Sequence, residues 1–293
     1  LILSLIHLVC HDRHMSAPAQ SGLYIVATPI GNLGDLSRRA EETLAAADII
    51  LVEDTRVTGK LLNHIGKKSR MMVYNDHKSA SDREAILDAV RCKIVALVSD
   101  AGTPLISDPG YKLVRDAQAA GLYVTTIPGP SAAIAALTLS GLPSDRFLFE
   151  GFLPSKTKAR TESLAALKTL NASLIFYENG SRLGAMLADS LSVLGDRKAA
   201  VVREITKRFE EAVTGSLSEL SQRYGAEKPK GEIVVIIGPP GAPEAASDEE
   251  IEAALREAMV RLPASKAAGE VARMFNTDRK ALYELTNRWK SEK

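Results

Sequence analysis

The sequence predicts an α/β fold of two α/β/α domains, the first built on a parallel sheet and the second on a mixed sheet, followed by a small helical tail. Three observations lead to this prediction. Short apolar runs alternate with amphipathic stretches through residues 21–130, a second alternation containing a hairpin fills residues 131–238, and residues 248–293 show helical spacing alone. A length of 293 residues with 45% hydrophobic and 25% charged residues fits a globular protein of two domains.

Residues 21–130 form the first predicted domain. Its strand-like runs are Leu23–Ala27, Ile49–Val52, Met71–Tyr74, Ile94–Val98 and Tyr123–Ile127. The helical stretches between them are Arg39–Ala47, Thr58–Ile65, Asp82–Val90 and Tyr111–Ala120. Gly121 stands where a helix C′ residue belongs, and Pro109 stands where a first-turn proline belongs. Strand–helix alternation at this spacing predicts a parallel sheet covered on both faces.

Residues 131–238 form the second predicted domain. Its predicted strands are Arg146–Phe149, Leu174–Tyr177, Ala199–Arg203, Glu211–Val213 and Ile233–Ile237. Its predicted helices are Ser131–Leu139, Lys156–Leu170, Arg182–Leu194 and Leu217–Tyr224. Two extended segments lie close together around Ile205–Phe209, which indicates a hairpin and therefore a mixed sheet. The Pro/Gly/Ala-rich residues 239–247 are a linker by composition, and helices are predicted at Asp248–Val260, Ala267–Phe275 and Arg279–Lys290.

Charge and cysteine content limit the possible partners and compartment. The net charge is +1, from 37 basic and 36 acidic residues, which excludes a polybasic coat for nucleic acid but permits a local basic face. The two cysteines lack zinc-ligand spacing, so we expect no metal, no disulfide scaffold and a reducing, cytoplasmic compartment. The apolar residues 1–10 have no basic region before them and are too few to span a bilayer. We expect residues 1–20 to be a disordered or non-native extension, and no membrane association.

The common nucleotide-binding and hydrolytic motifs are absent from this sequence. The segment Gly31–Gly34 has two glycines at the wrong spacing for a dinucleotide fingerprint, and Thr58–Leu61 lacks the leading glycine of a Walker A motif. No nucleophile elbow, zinc-protease motif or kinase signature occurs either. These absences remove the usual support for dinucleotide, ATP, hydrolase and metalloprotease functions.

Rigid turns rich in glycine and proline follow three strands of the first domain directly. These turns are Thr28–Asp35, Ser99–Gly110 and Pro128–Ser131. Each lies at the carboxyl end of its strand, where the ligands of open α/β sheets bind. Glycine allows close approach of the backbone to a ligand, and proline stiffens a turn at low entropic cost. One such turn is commonplace, whereas three at one edge of a sheet predict a small-molecule site.

These turns resemble the loops of the tetrapyrrole methylase superfamily, the class III S-adenosylmethionine methyltransferases. The resemblance runs from about Leu23 to Gly238 and extends to the helical tail. Its further motifs are Asp54-Thr55-Arg56, Gly141–Phe147, Glu150–Pro154, Phe176–Glu178, Arg203–Lys207 and Lys230–Glu232. Two segments, Tyr74–His77 and Asn179–Arg182, depart from the usual pattern; in the second, other members tend to carry a histidine shortly before the arginine. Within the superfamily, the chain looks most like the members that methylate a cytidine 2′-oxygen in the decoding centre of 16S ribosomal RNA.

The resemblance implies S-adenosylmethionine as cofactor, bound in a cleft between the two domains, and a homodimer acting on 16S ribosomal RNA within the small ribosomal subunit. It implies cofactor contacts from Pro29, Gly31, Asp100 and Ser131 on one side and from Tyr177, Glu204 and Gly231 on the other. The turn Gly102-Thr103-Pro104-Leu105-Ile106 can supply backbone donors and an apolar wall for the adenosyl group. Methyl transfer requires the nucleophile, carbon and sulfur in line, so the main task of the protein is positioning.

A ribose hydroxyl is a weak nucleophile at neutral pH, so a positioned base is a reasonable requirement. The candidates are Asp108, Asp54, His77, Glu178 and Lys207, with Asp108 as first choice. Asp108 has a structural alternative, as the N-cap of a helix that has Pro109 at its first position. His77 has the alternative of an exposed loop histidine, and Lys207 that of a solvated hairpin lysine.

Contacts with RNA are expected from localised positive charge, chiefly in the second domain. The candidates are Arg56, Lys156, Lys158, Arg182 and Arg203. Each of them, taken singly, is also an ordinary solubilising charge. The tail has a helix–turn–helix-like arrangement that can contact RNA or pack on the body. Two other functions stay open: methylation of a tetrapyrrole or another small molecule by the same fold, and a non-enzymatic role in RNA binding or ribosome assembly.

Overall fold

The computed structural model describes residues 20–241, 247–275 and 277–291. The expected extension over residues 1–20 therefore lies, apart from Gln20, outside the described residues. The strands are β1 (Gly22–Val26), β2 (Ile49–Val52), β3 (Arg70–Val73), β4 (Ile94–Leu97), β5 (Val124–Ile127), β6 (Phe147–Phe152), β7 (Ser173–Asn179), β8 (Lys198–Arg203), β9 (Glu211–Ser216) and β10 (Glu232–Ile237). The α-helices are α1 (Arg38–Ala46), α2 (Thr55–His64), α3 (Ala80–Cys92), α4 (Tyr111–Ala119), α5 (Ala132–Ser140), α6 (Thr157–Leu167), α7 (Gly180–Leu194), α8 (Leu217–Ala226), α9 (Asp248–Arg261), α10 (Ala264–Phe275) and α11 (Arg279–Ser291).

The first sheet has five parallel strands in the order β3-β2-β4-β1-β5. Strand β2 is buried at every residue, as expected for a strand covered by helices on both faces. Ile50 and Val52 pack on one face with Leu44 of α1, while Ile49 and Leu51 pack on the other with α3 and α4. The parallel sheet predicted from the strand–helix alternation is confirmed.

The second sheet is mixed, in the order β6-β7-β10-β8-β9. Strands β6 and β7 are parallel, β10 is antiparallel to both β7 and β8, and β8 pairs with β9 as an antiparallel hairpin. Helix α5 covers one face, where Ala136 and Leu137 pack against Ile175, Val202 and Val234. Helices α6, α7 and α8 supply the core of the other face. The predicted mixed sheet and the predicted hairpin are therefore both present.

The sequence signals at the ends of helix α4 have different outcomes. Gly121 adopts a left-handed φ of +67° just after the helix, and Leu122 N donates to Ala117 O, so the predicted C′ glycine is confirmed. The prediction of Pro109 as a first-turn residue is wrong. Gly110 is the N-cap at a φ of +134°, and the helix begins at Tyr111. Residues other than glycine rarely adopt this φ, so Gly110 takes the N-cap position and the helix begins after the proline.

The C-terminal helices form a second compact unit that begins at Pro240. A capping box of Ser247 and Glu250 starts α9, and Leu255, Val271 and Leu282 form part of an apolar core shared by the three helices. The Arg256 guanidinium lies 3.9 Å from the centroid of the Trp289 ring. Among the helices of the described residues, none combines the length and apolarity that crossing a membrane requires.

Candidate active site

A cleft lies where the loops after the strands of the first sheet meet the second sheet. It encloses about 960 Å³ including its solvent-open part. From the first half of the unit its lining includes Ile30, Asp100, Ala101, Gly102, Thr103, Ile106, Ser107, Asp108, Ser131 and Ala132. From the second half it includes Phe152, Tyr177, Glu178, Glu204, Ile205, Lys207, Glu232, Ile233 and Val234.

The loop between β4 and α4 is anchored by backbone hydrogen bonds and bends sharply. Thr28 and Gly102 exchange N–H···O bonds of 2.8 and 3.0 Å, and the Thr103 hydroxyl donates to Pro130 O at 2.9 Å. Gly102 has a φ of +85°, and Leu105 and Ser107 have φ values of +74° and +66°. Left-handed backbone at two residues that carry side chains is strained, and such strain is common at ligand sites. The loop is therefore built to hold one conformation at the floor of the cleft.

The hairpin loop between β8 and β9 closes against the loop after β1. A Cβ added to Gly31 would lie 2.5 Å from Lys207 Cε, so only glycine allows the lysine chain to cross at this position. The Thr206 hydroxyl donates to Asp35 Oδ2, and Lys207 Nζ donates to Glu204 Oε1 at 3.0 Å. Backbone strain is present here as well, with Glu204 at a φ of +52°. These contacts hold the two halves of the cleft together at one end.

Asp108 lines the cleft and does not cap a helix, so its structural alternative as an N-cap is not realised. Burial raises the pKa of its carboxyl above the ordinary aspartate value, and the Ser99 hydroxyl opposes the rise while the charges of Asp100 and Glu232 add to it. A carboxylate with a raised pKa is a stronger base at neutral pH. The electrostatics of the site therefore favour Asp108 as a proton acceptor.

Glu53, at the carboxyl end of β2, is a member of the same acidic group that sequence reasoning missed. Burial is the main cause that raises its pKa to about 7, and the charge of Asp108 adds to the rise. Asp100 N donates to Glu53 Oε1 at 3.4 Å, and Asp54 N donates to Asp100 Oδ1 at 3.1 Å. Only its position next to Asp54 at a strand end, inside the segment that carries the resemblance, could have drawn attention to Glu53.

Glu178 lies at the end of β7, and its side chain is only 1% exposed. Its Oε1 lies 3.1 Å from Arg182 Nε. Its Oε2 has no hydrogen-bond partner among the described residues. Burial raises the pKa of this carboxyl, while the positive charges of Arg182 and Arg160 oppose the rise. Arg182 also donates to Leu153 O at 2.6 Å, which ties Glu178 to the loop after β6.

Negative charge dominates the described lining of the cleft. It contains the carboxylates of Asp100, Asp108, Glu178, Glu204 and Glu232, against a single ammonium group. A low-dielectric cleft of this sign attracts a cationic ligand and repels phosphate groups. No group of three or more potential metal-ligating residues occurs in the part of the chain that the structure describes.

The structure gathers many of the site residues predicted from sequence and places others outside the cleft. Those that line it are Asp100, Gly102, Thr103, Ile106, Asp108, Ser131, Tyr177, Glu178, Glu204 and Lys207. Those in the neighbouring loops that do not line it are Pro29, Gly31, Pro104, Leu105 and Gly231. Those elsewhere on the surface or in internal ion pairs are Arg56, His77, Lys156, Lys158, Arg182 and Arg203.

The structure gives physical reasons for three of these placements. His77 belongs to the turn after β3, where its backbone N–H donates to Asn75 Oδ1. Arg56 is 87% exposed and pairs with Asp54, the N-cap of α2, whose pKa this arginine lowers to about 2. Arg203 donates to the Glu211 carboxylate at 2.6 Å across the β8–β9 hairpin.

The lysines that follow β6 and the amino group of Lys207 have different surroundings. Lys156, the N-cap of α6, and Lys158, in the first turn of that helix, are exposed. Lys207 is 41% exposed and paired with Glu204, so the structure gives it the partner of an ammonium cation.

Several lining residues were not named as site residues from sequence. Phe152 and Glu232 belong to motifs that carry the resemblance, Glu150–Pro154 and Lys230–Glu232, and are brought into the cleft by the second sheet. Ile205 comes from the hairpin loop. The sequence signal for these residues was that they lie in or next to motifs that carry the resemblance. Whether their side chains point into the cleft depends on the register of the strands.

A profile of the Tetrapyrrole (Corrin/Porphyrin) Methylases matches residues 22–221. A second profile, described as the RsmI C-terminal HTH domain, matches residues 245–290. The chain is 57% identical over 274 residues to "Ribosomal RNA small subunit methyltransferase I" of Erythrobacter litoralis, covering 93% of this chain and 96% of that protein. It is 51% identical over 271 residues to the protein of the same name from Mesorhizobium japonicum, covering 91% of each.

Solved structures show the same fold at low sequence identity. One of them is uroporphyrin-III C-methyl transferase from Thermus thermophilus, complexed with S-adenyl homocysteine. It matches with a TM-score of 0.52 and 19% identity, covering 74% of this chain and 97% of that chain. A likeness at this identity concerns the fold of the two sheets and carries no information about the substrate.

Proposed function

Because the chain belongs to the tetrapyrrole methylase family and is a relative of ribosomal RNA small subunit methyltransferase I, we propose that it transfers a methyl group from S-adenosylmethionine to a cytidine 2′-hydroxyl in the decoding centre of 16S ribosomal RNA. The observation that carries the proposal is the identity of 51–57% over more than nine-tenths of this chain and of both relatives. The acidic cleft supplies the chemistry.

The residues of the cleft fit S-adenosylmethionine. Its sulfonium and ammonium groups are cationic, which suits a lining dominated by carboxylates. Gly102 leaves room for close backbone approach, since a Cβ there would lie 3.3 Å from Ile30 Cγ2. Asp100, Thr103, Ile106 and Tyr177 are available in the lining to hold the amino-acid and adenosyl parts. The cofactor supplies an activated methyl group, and the protein supplies binding and orientation.

Asp108 is the proposed base. Its half-buried carboxylate lies in the cleft with a raised pKa, where it would accept a hydrogen bond from the ribose hydroxyl and then its proton, as the methyl–sulfur bond breaks, the new O–C bond forms and the thioether leaves. Glu53 belongs to the same acidic group, because the charge of Asp108 adds to the burial that raises the pKa of Glu53 to about 7. Holding the hydroxyl in line for displacement is a positioning task that the rigid β4–α4 loop performs.

RNA is held outside the acidic cleft. Phosphates are repelled by its lining, so we propose that only the target nucleotide enters, while exposed lysines such as Lys156 and Lys158 contact the backbone. Arg182 and Arg203 act chiefly through their internal partners, the first by fixing the β6–α6 loop and the second by fixing the hairpin. The tail described by the helix–turn–helix profile is a further proposed RNA contact. A homodimer in the cytoplasm, acting on the small subunit, stays part of the proposal.

The test compares acceptors side by side. Tritiated S-adenosylmethionine is incubated with the protein and with assembled small ribosomal subunits, naked 16S ribosomal RNA or a porphyrinogen. Label is expected in the RNA of the first or second mixture and not in the third. Label only in the porphyrinogen favours the small-molecule methyltransferase, and no binding of S-adenosylmethionine by calorimetry favours a non-enzymatic RNA-binding protein.

A further inference from the structure

One large aromatic side chain in the cleft has no role in the mechanism above. Phe152, the last residue of β6, lines the cleft and is 48% exposed. Phenylalanine side chains are more often buried than this. Its ring centroid lies 5.6 Å from that of Tyr177, with 63° between the ring planes. This T-shaped packing uses part of the Phe152 ring and leaves the rest open to a ligand.

A β-bulge directs Phe152 into the cleft. Phe149 pairs with Ile175, but the register shifts before Gly151, so Phe152 rather than Gly151 stands opposite Tyr177. In a regular strand the residue two positions after Phe149 would occupy this face, and it has no side chain. The bulge therefore delivers an aromatic ring to the ligand side of the sheet, as bulges beside active sites commonly do.

The bulge also brings the end of β6 against the loop that carries the proposed base. Gly151 has a φ of +75°, and a Cβ there would lie 2.9 Å from Ser107 Oγ, so the β6 strand end touches the residue that precedes Asp108. Ile106, which is 39% exposed, lines the cleft from the same loop. An apolar surface composed of one aromatic and one aliphatic side chain thus adjoins a carboxylate.

The support of the ring is rigid and its flank is basic. The Tyr177 hydroxyl accepts a hydrogen bond of 3.2 Å from Ala133 N at the start of α5, and the Phe149 ring centroid lies 4.9 Å from that of Tyr177. Beyond Phe152 the chain continues through the β6–α6 loop to Lys156, which is exposed. The backbone phosphates and the base of one nucleotide could therefore be bound by neighbouring residues of a single loop.

We propose that Phe152 is the stacking platform for the base of the target nucleotide, which leaves its RNA stack so that its ribose hydroxyl reaches Asp108. RNA-modifying and RNA-reading proteins stack unpaired bases on aromatic rings, and the pyrimidine of the proposed cytidine fits a single open ring face. This inference rests on the proposed function, and it assigns a substrate-positioning residue within that same cleft.

The experiment compares Phe152→Ala, Phe152→Leu and Phe152→Tyr with Phe147→Ala, which removes an equally exposed ring (45%) from the opposite end of the same strand. Each variant is measured for kcat/KM on small ribosomal subunits and for S-adenosylmethionine affinity by calorimetry. We expect Phe152→Ala to lower kcat/KM roughly 5- to 100-fold, the range for loss of a stacking aromatic, with cofactor affinity within about twofold of the parent. Phe152→Tyr should keep most of the activity, Phe152→Leu should not, and Phe147→Ala should match the parent.

Two results overturn the inference. A loss of cofactor affinity in Phe152→Ala equal to its loss of activity would make the ring part of the cofactor wall, and full activity in Phe152→Leu would exclude stacking. Binding of a fluorescein-labelled single-stranded RNA oligonucleotide to the same variants separates this inference from the proposed function. If the parent protein methylates no RNA, the proposed function fails, whereas weaker oligonucleotide binding by Phe152→Ala than by Phe147→Ala would still support stacking and equal binding would refute it.

Discussion

Glu53→Gln replaces a carboxyl group at the edge of the cleft with a neutral amide of nearly the same shape. The amide oxygen can still accept the hydrogen bond from Asp100 N that Glu53 Oε1 accepts now. What the substitution removes is the ionisable proton, whose binding burial and the charge of Asp108 strengthen in the folded state. The variant therefore measures the electrostatic cost of keeping this acidic group together.

The size and the sign of the effect follow from the pKa. Glu53 has a pKa of about 7 in the folded protein against an ordinary value of 4.5, and this difference corresponds to roughly 3 kcal/mol at 1.36 kcal/mol per pKa unit. Because the residue is only partly buried, solvent screening reduces the expected effect to about 1–3 kcal/mol. Between pH 4.5 and 7 the folded state binds more protons than the unfolded state, so the parent protein loses stability as pH rises through this window.

Urea unfolding of the parent and of Glu53→Gln at pH 5 and pH 8.5 tests this reasoning. At pH 8.5 the variant should be more stable than the parent by about 1–3 kcal/mol, and at pH 5 the advantage should shrink to about 0.5–0.8 kcal/mol. The exposed Glu84 on α3 offers a matched control, since Glu84→Gln makes the same change from carboxyl to amide outside the acidic group. An advantage of Glu53→Gln that is the same at both pH values would refute the assigned electrostatics.

Three further predictions concern the base and the packing of the second sheet. Asp108→Asn should lower kcat about 100-fold or more with cofactor affinity retained, and near-normal turnover of the variant would remove Asp108 from the mechanism. In the parent, kcat/KM should fall as the pH decreases, because the base must be ionised. The fall should begin at a higher pH than for an ordinary aspartate, because burial raises the pKa of Asp108. Gly180→Ala should destabilise by about 1–3 kcal/mol or more in urea, because the new Cβ would lie within bonding distance of Pro229 O, whereas Gly225→Ala on α8 meets nothing and should be neutral or stabilising. Arg160→Met should destabilise by about 3–5 kcal/mol, because the 4%-exposed arginine pairs with Asp189 and removing it leaves that carboxylate without its partner, and an unchanged unfolding midpoint would contradict this.

The parts of the fold that local chemistry determines were predictable from the sequence. The continuous apolar run of β2 and the glycine after α4 are local patterns, and both predictions are confirmed. The loops after the strands of the first sheet were predictable as turns because their glycines and prolines follow the strands directly. The start of α4 was predicted wrongly because a proline followed by a glycine is also compatible with a helix that begins at the proline. The sequence does not show that Gly110 has a left-handed backbone and that the helix begins after it.

The remaining features of the candidate site depend on tertiary contacts between distant residues. The pKa of Glu53 arises from burial and from Asp100 and Asp108, which are far away in sequence. The ion-pair partner of Arg203, Glu211, is set by the register of the β8–β9 hairpin, which its own segment does not reveal. The direction of Phe152 depends on a one-residue bulge that alternation alone cannot reveal.

The measurement that tests the central claim most directly is the chemical location of the transferred methyl group. Small ribosomal subunits that lack the modification are incubated with the protein and tritiated S-adenosylmethionine, and the RNA is then digested to nucleosides and separated. Our account predicts that the label co-migrates with 2′-O-methylcytidine, and that the Asp108→Asn protein gives little of it. Label on a base, label in another nucleoside, or no label in RNA while the protein binds S-adenosylmethionine would contradict the account.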